Sequence, residues 1–184
     1  MSGKFLITGL PRSRTAWWSI AATTPVSICH HEPLKHTKCF DDLAVYWQDP
    51  WAEYIGISDS GVAPQLGRIL AEIQPRTLIV KRKPKDVMSA FIAYMGEAAT
   101  DRLAVWAYIE KSAAELAKCE AHELVKTVDY DALSRSETVE ACFEWLMPGQ
   151  AHRFRHDLLH MNVQVNKAHT MLNIIKPHNH WYRA

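Results

Sequence analysis

The sequence lacks a long hydrophobic run, a strong net charge and a cysteine framework. No apolar run approaches the roughly 20 residues that span a bilayer, so no contact with a membrane is expected. The formal net charge of +1 gives no global attraction for nucleic acid, so any basic site must be local. The apolar stretch 5–10 is too short for a secretion signal and has no cleavage pattern after it. We therefore expect a cytoplasmic protein whose four cysteines, which contain no C-x-x-C pair, are reduced.

What is present is the composition of an ordinary globular protein. Of the 184 residues, 48% are hydrophobic and 22% are charged, and the chain is long enough to bury a core without disulfides. No repeat, low-complexity tract or linker divides it. The composition predicts one domain over residues 1–184.

Short apolar runs alternate with stretches of helical periodicity. Strands are predicted over 4–9, 26–29, 77–81 and 124–128. Helices are predicted over 14–23, 39–47, 62–74, 84–95, 101–119, 134–147 (opened by a capping box at 134–137) and 151–160. The segment 48–61, QDPWAEYIGISDSG, is interpreted as a loop. This alternation predicts an α/β fold with a parallel sheet flanked by helices and a mostly helical C-terminal part.

The segment 9–17, GLPRSRTAW, joins the first strand to the first helix. ATP-binding loops of the form G-x-x-x-x-G-K-[ST] use the lysine on the terminal phosphates and the last hydroxyl on Mg²⁺. Aligned on Gly9, that pattern places Thr15 at the lysine and Ala16 at the hydroxyl. Because alanine cannot bind magnesium, an ATP-dependent phosphotransferase is disfavoured. The loop instead suits a phosphoester whose chemistry needs no divalent cation.

The same segment resembles the 5′-phosphosulfate loop of sulfotransferases, where Pro-(Arg/Lys)-Ser-Gly-Thr-Thr follows the first strand. The family moves a sulfuryl group from 3′-phosphoadenosine 5′-phosphosulfate to a hydroxyl or amine on a P-loop NTPase-like α/β fold, without metal. The resemblance implies that the cofactor is bound by the loop residues Pro11, Arg12, Ser13, Arg14, Thr15 and Ala16, with Arg12 on the phosphosulfate oxygens. Arg14 replaces the family's glycine, and Ala16 replaces its second threonine.

Two further segments resemble the same family in the same order. TLIVKRKPKDVMSAF is similar to its R-x-P-x-(D/E)-V segment, which implies that Arg82 binds the 3′-phosphate. Ser89 is the nearby hydroxyl for the same phosphate, although the family's spacing points to Ala90. LVKTVDYDAL is similar to a strand that ends in Tyr-Glu-Asp-Leu. The resemblance covers roughly residues 4–133, and the last fifty residues contain no copy of the family's Arg-Lys-Gly loop.

Sulfuryl transfer needs a base for the acceptor and a cation for the leaving group. Glu32, directly after the second strand, is the base that the resemblance implies, with His31 or His30 as alternatives. Arg12 would meet the charge of the leaving nucleotide. Asp59 and Ser60 correspond loosely to a substrate-side segment of the family. Trp47, Trp51 and Tyr54 are candidates for an acceptor pocket that takes a carbohydrate, an aromatic alcohol or another small molecule, although core packing is the default for aromatic residues.

Histidine and cysteine clusters raise the alternative of a metal site. The set near the second strand is Cys29, His30, His31, His36 and Cys39, and the C-terminal set is His152, His156, His160, His169, His178 and His180. The first set matches no structural zinc pattern. The second includes an i, i+4 series that would share one helix face, which could bind a metal but favours an exposed polar face, so no metal is expected. Two rival functions stay open, an ATP-dependent phosphotransferase and a nucleotide-binding protein without catalysis. The oligomeric state stays open too.

Overall fold

A computed structural model describes residues 3–48, 50–95, 101–161 and 163. In this part of the chain, five strands form one parallel sheet in the order β2-β3-β1-β4-β5. The strands are β1 (Gly3–Gly9), β2 (Ser27–His31), β3 (Tyr54–Ser58), β4 (Arg76–Lys81) and β5 (Val125–Asp129). The helices are α1 (Thr15–Ala21), α2 (Phe40–Ala44), α3 (Leu66–Glu72), α4 (Pro84–Met95), α5 (Arg102–Cys119) and α6 (Ser136–Leu146). The prediction of a parallel α/β sheet flanked by helices is confirmed.

The central strand β1 is buried on both faces. Phe5 and Ile7 pack into one core together with α1 and α6, whereas Leu6 packs into a second core with α3, α4 and α5. A strand that is apolar on both faces is typical of a parallel sheet covered on two sides. No helix among the described residues has the length and apolar character needed to cross a membrane.

The connections place a crevice between β1 and β4. The segment after β1 leads to β2 on one side of the sheet, and the segment after β4 leads to β5 on the other side. Open α/β sheets bind ligands at the carboxyl ends of strands at such a switch point.

Strand β3 was not predicted, because it lies inside the segment interpreted as a loop. Gly56 in the middle of the strand weakened its β-sheet signal. In the structure a Cβ atom at Gly56 would overlap the ring of Phe5 on the neighbouring strand. The glycine therefore marks a close approach of β3 to β1.

Two predictions for the C-terminal half are wrong in detail. Helix α6 begins at Ser136, but the capping box is absent, since the Ser134 hydroxyl donates to the Asp131 carbonyl instead. The predicted helix over 151–160 is replaced by two short 3₁₀ turns, Ala151–Arg153 and His156–Leu158. Phe154 and Leu158 are buried, and Phe154 packs against Trp17 of α1 and Phe143 of α6, so tertiary packing overrides helical periodicity here.

Candidate active site

A cleft of about 260 Å³ opens at the carboxyl end of the sheet. Its walls come from the segments after β1, β2, β3 and β5 and from helix α4. The lining residues are Pro11, Arg12, Arg14, Thr15, Ala16, Trp17, Glu32, Ser60, Phe91, Tyr130, His160, Met161 and Val163. Five of the six loop residues singled out in the sequence, and Glu32, therefore share one cleft.

The loop between β1 and α1 holds two arginines in the left-handed backbone region. Arg12 has φ 66° and Arg14 has φ 64°. This conformation costs a non-glycine residue about 1–3 kcal/mol and persists only where the surroundings enforce it. Arg14 thus keeps the conformation that glycine adopts easily, although its side chain is long. The Arg14 guanidinium donates to the Leu133 carbonyl at 3.2 Å, which fixes the side chain along the wall.

Arg12 carries hydrogen-bonding capacity that the described residues leave unused. Its Nε atom is buried and has no hydrogen-bond partner in that part of the chain, and the same holds for the Ser13 hydroxyl. The Arg12 guanidinium carbon lies 4.1 Å from the centre of the Tyr94 ring, a cation–π contact that orients the group. An unpaired buried donor costs about 1–3 kcal/mol, so a ligand that brings an acceptor to Arg12 is favoured.

Arg82, which follows β4, contacts the loop that follows β1. Its Nη1 atom donates to the Arg12 carbonyl oxygen at 2.7 Å. Its guanidinium carbon lies 4.3 Å from the centre of the Tyr130 ring, and that of Arg14 lies 5.9 Å from the same centre. The structure therefore brings Arg12 and Arg82 together across the switch point of the sheet, with a third arginine beside them.

Glu32 faces the cleft from the end of β2. Its backbone is left-handed, with φ 46°, and its N–H donates to the Ser58 carbonyl at 3.0 Å. The Nε2 atom of His31 lies 3.6 Å from Glu32 Oε1, which is beyond hydrogen-bond distance. Burial lowers the pKa of His31, more than the Glu32 charge raises it, so the imidazole is mostly neutral at pH 7. His31 lies beside Glu32 and does not line the cleft.

Asp59 lies under the same corner of the cleft. It follows β3, is 2% exposed, and accepts hydrogen bonds from the backbone N–H groups of Leu34 and Gly61. Burial, assisted by the negative charge of Glu32, raises the pKa of the Asp59 carboxyl to about 7.

Several residues singled out in the sequence lie elsewhere. Ser89 is exposed on α4 and does not line the cleft, whereas Phe91 on the same helix does. His30 packs edge-to-face against Tyr46. Trp47 is buried in the core, where its indole N–H donates to the Phe5 carbonyl. Trp51 and Tyr54 line a hollow at the opposite, amino end of the sheet, so they do not form an acceptor pocket at the cleft.

The described structure bears on the histidine and cysteine sets. All four cysteines are free, and within the described ranges no group of three or more His, Cys, Asp or Glu side chains could hold a metal ion. His160 lines the cleft, whereas the His156 ring contacts the Ser136 hydroxyl and His152 borders a separate hollow. The remaining histidines of the C-terminal set, His169, His178 and His180, lie outside the described residues.

Three aromatic residues that line the cleft, Tyr130, Trp17 and Phe91, were not predicted as site residues. Tyr130 directly follows β5, and its position at a strand end could have marked it. The Trp17 indole N–H donates to the Leu158 carbonyl at 2.6 Å, and Trp17 also borders the cleft. For Phe91 the sequence predicted only a place on a helix and gave no indication of a role in the site.

Comparisons with known proteins extend the fold assignment. No protein-family model matches the sequence, and no curated protein matches it either. Among solved structures, the chain is similar to the sulfotransferase from Alicyclobacillus acidocaldarius, with a TM-score of 0.64 and 12% sequence identity. The similarity covers 97% of this chain and 93% of that one. The chain therefore has a sulfotransferase-like α/β fold.

Proposed function

We propose that the protein transfers a sulfuryl group from 3′-phosphoadenosine 5′-phosphosulfate to a hydroxyl or amine of a small-molecule acceptor, without a metal ion. One observation carries the proposal. Arg12 and Arg82 follow two adjacent strands, and the Arg82 guanidinium donates to the Arg12 backbone carbonyl at 2.7 Å, beside a cleft that also presents Glu32. In this arrangement the two arginines can bind the two anionic groups of one nucleotide, and the Glu32 carboxylate can accept the proton of the acceptor.

The loop after β1 supplies the phosphosulfate contacts in this proposal. The unpaired Nε of Arg12 donates to the phosphosulfate, and Arg14 and Thr15 line the same wall. Arg82 holds the Arg12 carbonyl and faces the 3′-phosphate with its remaining donors, while the Tyr130 ring fixes its plane. The unpaired donors fit an anionic ligand, because each would gain an acceptor on binding.

Glu32 acts as the general base. The acceptor oxygen forms a bond to sulfur, the bond from sulfur to the phosphate oxygen breaks, and the acceptor proton passes to the Glu32 carboxylate. Arg12 offsets the negative charge that develops on the leaving nucleotide, as a fixed donor that needs no reorganisation. His31, held neutral beside Glu32, is the alternative base, although it does not line the cleft.

Transfer of ³⁵S from the labelled donor to a panel of hydroxyl and amine acceptors tests the activity. We expect labelled product with the wild-type protein in the presence of a metal chelator. Binding of the nucleotide without transfer to any acceptor would favour a binding protein, a rival that the replacement of the family's threonine by Ala16 supports. Magnesium-dependent binding of ATP above that of adenosine 3′,5′-bisphosphate would favour a phosphotransferase.

A further inference from the structure

Asp59 is a buried carboxyl group that the proposed chemistry does not use. Its Oδ1 atom accepts from the Gly61 N–H at 2.7 Å, and its Oδ2 atom accepts from the Leu34 N–H at 3.1 Å. A buried carboxylate loses its hydration, so it is a weak choice for stability alone. Its two acceptor oxygens, however, bind two different segments of the chain.

Each of these two segments contributes one residue to the cleft. Leu34 lies two residues after Glu32, and Gly61 lies one residue after Ser60, and both Glu32 and Ser60 line the cleft. The Asp59 carboxylate therefore joins the turn after β2 to the turn after β3.

The two turns are in close contact around this carboxylate. A Cβ atom at Gly61 would lie 2.8 Å from Leu34 Cδ2 and 3.0 Å from Asp59 Oδ1, so a side chain at position 61 would displace the Leu34 side chain and crowd the Asp59 carboxylate. The backbone of Asp59 is anchored as well. Its N–H donates to the Ile7 carbonyl at 3.0 Å, and its carbonyl accepts from the Thr8 hydroxyl at 2.8 Å. The carboxylate is thus fixed to the central strand and ties both turns to it.

Glu32 depends on such a tie because its backbone is strained. Its φ of 46° lies in the left-handed region, which a glutamate leaves unless its neighbours hold it there. The hydrogen bond from Leu34 to Asp59 closes the turn immediately after Glu32. Without it, relaxation of Glu32 would move its carboxylate relative to the cleft.

We propose that Asp59 is a positioning residue for sulfuryl transfer, whose carboxylate sets Glu32 and Ser60 in the cleft by joining the turns after β2 and β3. This inference rests on the function proposed above. It assigns Asp59 no contact with substrate, and its effect passes through Glu32.

The protonation state of Asp59 links this role to pH. The charged groups that act on it are Glu32, whose charge raises the pKa of Asp59, and Lys35, whose charge lowers it. Both groups lie on the turn after β2. His31 interacts with the same two groups and has a lowered pKa, and β1 presents only the uncharged Thr8 hydroxyl. A protonated Asp59 is a weaker acceptor, so the tie between the turns is strongest above a pH of about 7.

The variant Asp59→Asn tests the positioning role. The amide keeps the shape and one acceptor but turns a donor toward a backbone N–H. We expect kcat to fall about 10- to 100-fold, with the Kd for adenosine 3′,5′-bisphosphate changed by less than about twofold, because only the base is displaced. The wild-type kcat should rise as the pH passes through about 7, and this rise should flatten in Asp59→Asn. Asp42→Asn is the matched control, since Asp42 accepts backbone N–H groups of Lys38 and Cys39 outside the cleft and should leave kcat unchanged.

A carbon-13 NMR titration of the side-chain carboxyls provides a readout that needs neither activity nor the Asp59 variant. We expect one aspartate signal to titrate near pH 7 in the wild type and at lower pH in Glu32→Gln, because the variant removes the charge that raises the Asp59 pKa. An aspartate signal with the same pKa in the wild type and in Glu32→Gln would overturn the inference. So would a wild-type kcat and pH profile in a folded Asp59→Asn.

The two proposals fail in different ways. If the wild type neither binds the bisphosphate nor transfers ³⁵S, the proposed function is wrong whatever Asp59 does. If the wild type transfers ³⁵S and folded Asp59→Asn transfers it equally well, the function stands and the positioning role is wrong.

Discussion

The two ends of the sheet carry similar side chains in different settings. At the amino end, a hollow of about 770 Å³ includes Trp51, which is 91% exposed, and Arg76, whose guanidinium lies 5.5 Å from the Trp145 ring centre and donates to the Trp145 carbonyl. At the carboxyl end, the cleft is about 260 Å³, and Arg82 makes the same pair of contacts with Tyr130 and the Arg12 carbonyl. Volume alone would select the amino-end hollow, which is the larger of the two.

Strain and unpaired polar atoms distinguish the carboxyl end. Of the described non-glycine residues with positive φ, Arg12, Arg14 and Glu32 line the cleft, whereas Gln74 alone lies at the amino end. The Arg12 Nε atom, without a partner in the described part of the chain, is also at the cleft. Strain of this kind clusters at functional sites, because the surrounding structure must hold it in place. The following predictions use the amino end as the control for the carboxyl end.

The largest expected effect is that of Glu32→Gln on catalysis. Loss of the general base should lower kcat about 10²- to 10⁴-fold, with little change in bisphosphate binding. Glu53→Gln, on the rim of the amino-end hollow, is the matched change and should leave kcat unaltered. The ³⁵S assay measures both. Equal rates for Glu32→Gln and the wild type would exclude Glu32 as the base and leave its neighbour His31 as the alternative.

The next effect concerns stability and its dependence on pH. Since the pKa of Asp59 is raised from 3.8 to about 7 by folding, its contribution to stability is present below about pH 4 and is lost as the pH rises through 7. Relative to Asp59→Asn, the free energy of unfolding of the wild type should fall by a few kcal/mol over this range. Urea unfolding at a series of pH values measures the difference.

Asp42 supplies the control of opposite sign. Backbone hydrogen bonds, first that of Lys38, lower the pKa of Asp42, so its contribution is present above about pH 4 and is lost as the pH falls. Stability curves of the wild type and Asp59→Asn that run parallel between about pH 4 and 7 would show that Asp59 is not buried as described.

A smaller effect isolates the strain at Arg14. Arg14→Gly and Arg14→Ala both lose the hydrogen bond to Leu133, but only glycine is relaxed at φ 64°. We expect Arg14→Gly to be more stable than Arg14→Ala by about 1 kcal/mol. Thermal unfolding of the pair measures this, and equal stability would mean that the left-handed turn is not populated.

The smallest effect is expected at the amino end itself. Trp51→Ala removes the most exposed ring of the larger hollow and should leave both bisphosphate binding and ³⁵S transfer within about twofold of wild type. A strong loss in either measurement would move the site, or part of it, to the amino end of the sheet.

Much of the fold could be predicted because its elements are local. Helix α4 matches its predicted bounds, and four strands were found within a few residues of their positions. Strand β3 escaped because Gly56, which the sequence shows as a strand breaker, is required by the Phe5 ring of another strand. The prediction for segment 151–160 failed for a related reason, since the buried Phe154 packs against Trp17 and Phe143, which are distant in sequence.

The candidate site could be predicted only for residues that directly follow a predicted strand. The contact between Arg12 and Arg82 follows from parallel strands that end at one edge, so sequence reasoning could place both arginines there. The tie between Leu34 and Asp59 joins residues 25 apart through a backbone N–H, which leaves no trace in residue type. Ser89 shows how far a sequence motif can be trusted. It lies one position from the one that the family's spacing indicates, and it does not line the cleft.

Calorimetric titration with adenosine 3′,5′-bisphosphate tests the central claim, that Arg12 and Arg82 hold one nucleotide, most directly. The account predicts that the wild type binds and that Arg12→Ala and Arg82→Ala each weaken binding about 10- to 100-fold, the range expected for hydrogen bonds to a charged group. Arg76→Ala, which removes the matching arginine from the other end of β4, should bind like the wild type. Absence of binding by the wild type, or equal affinity of all three variants, would contradict the account.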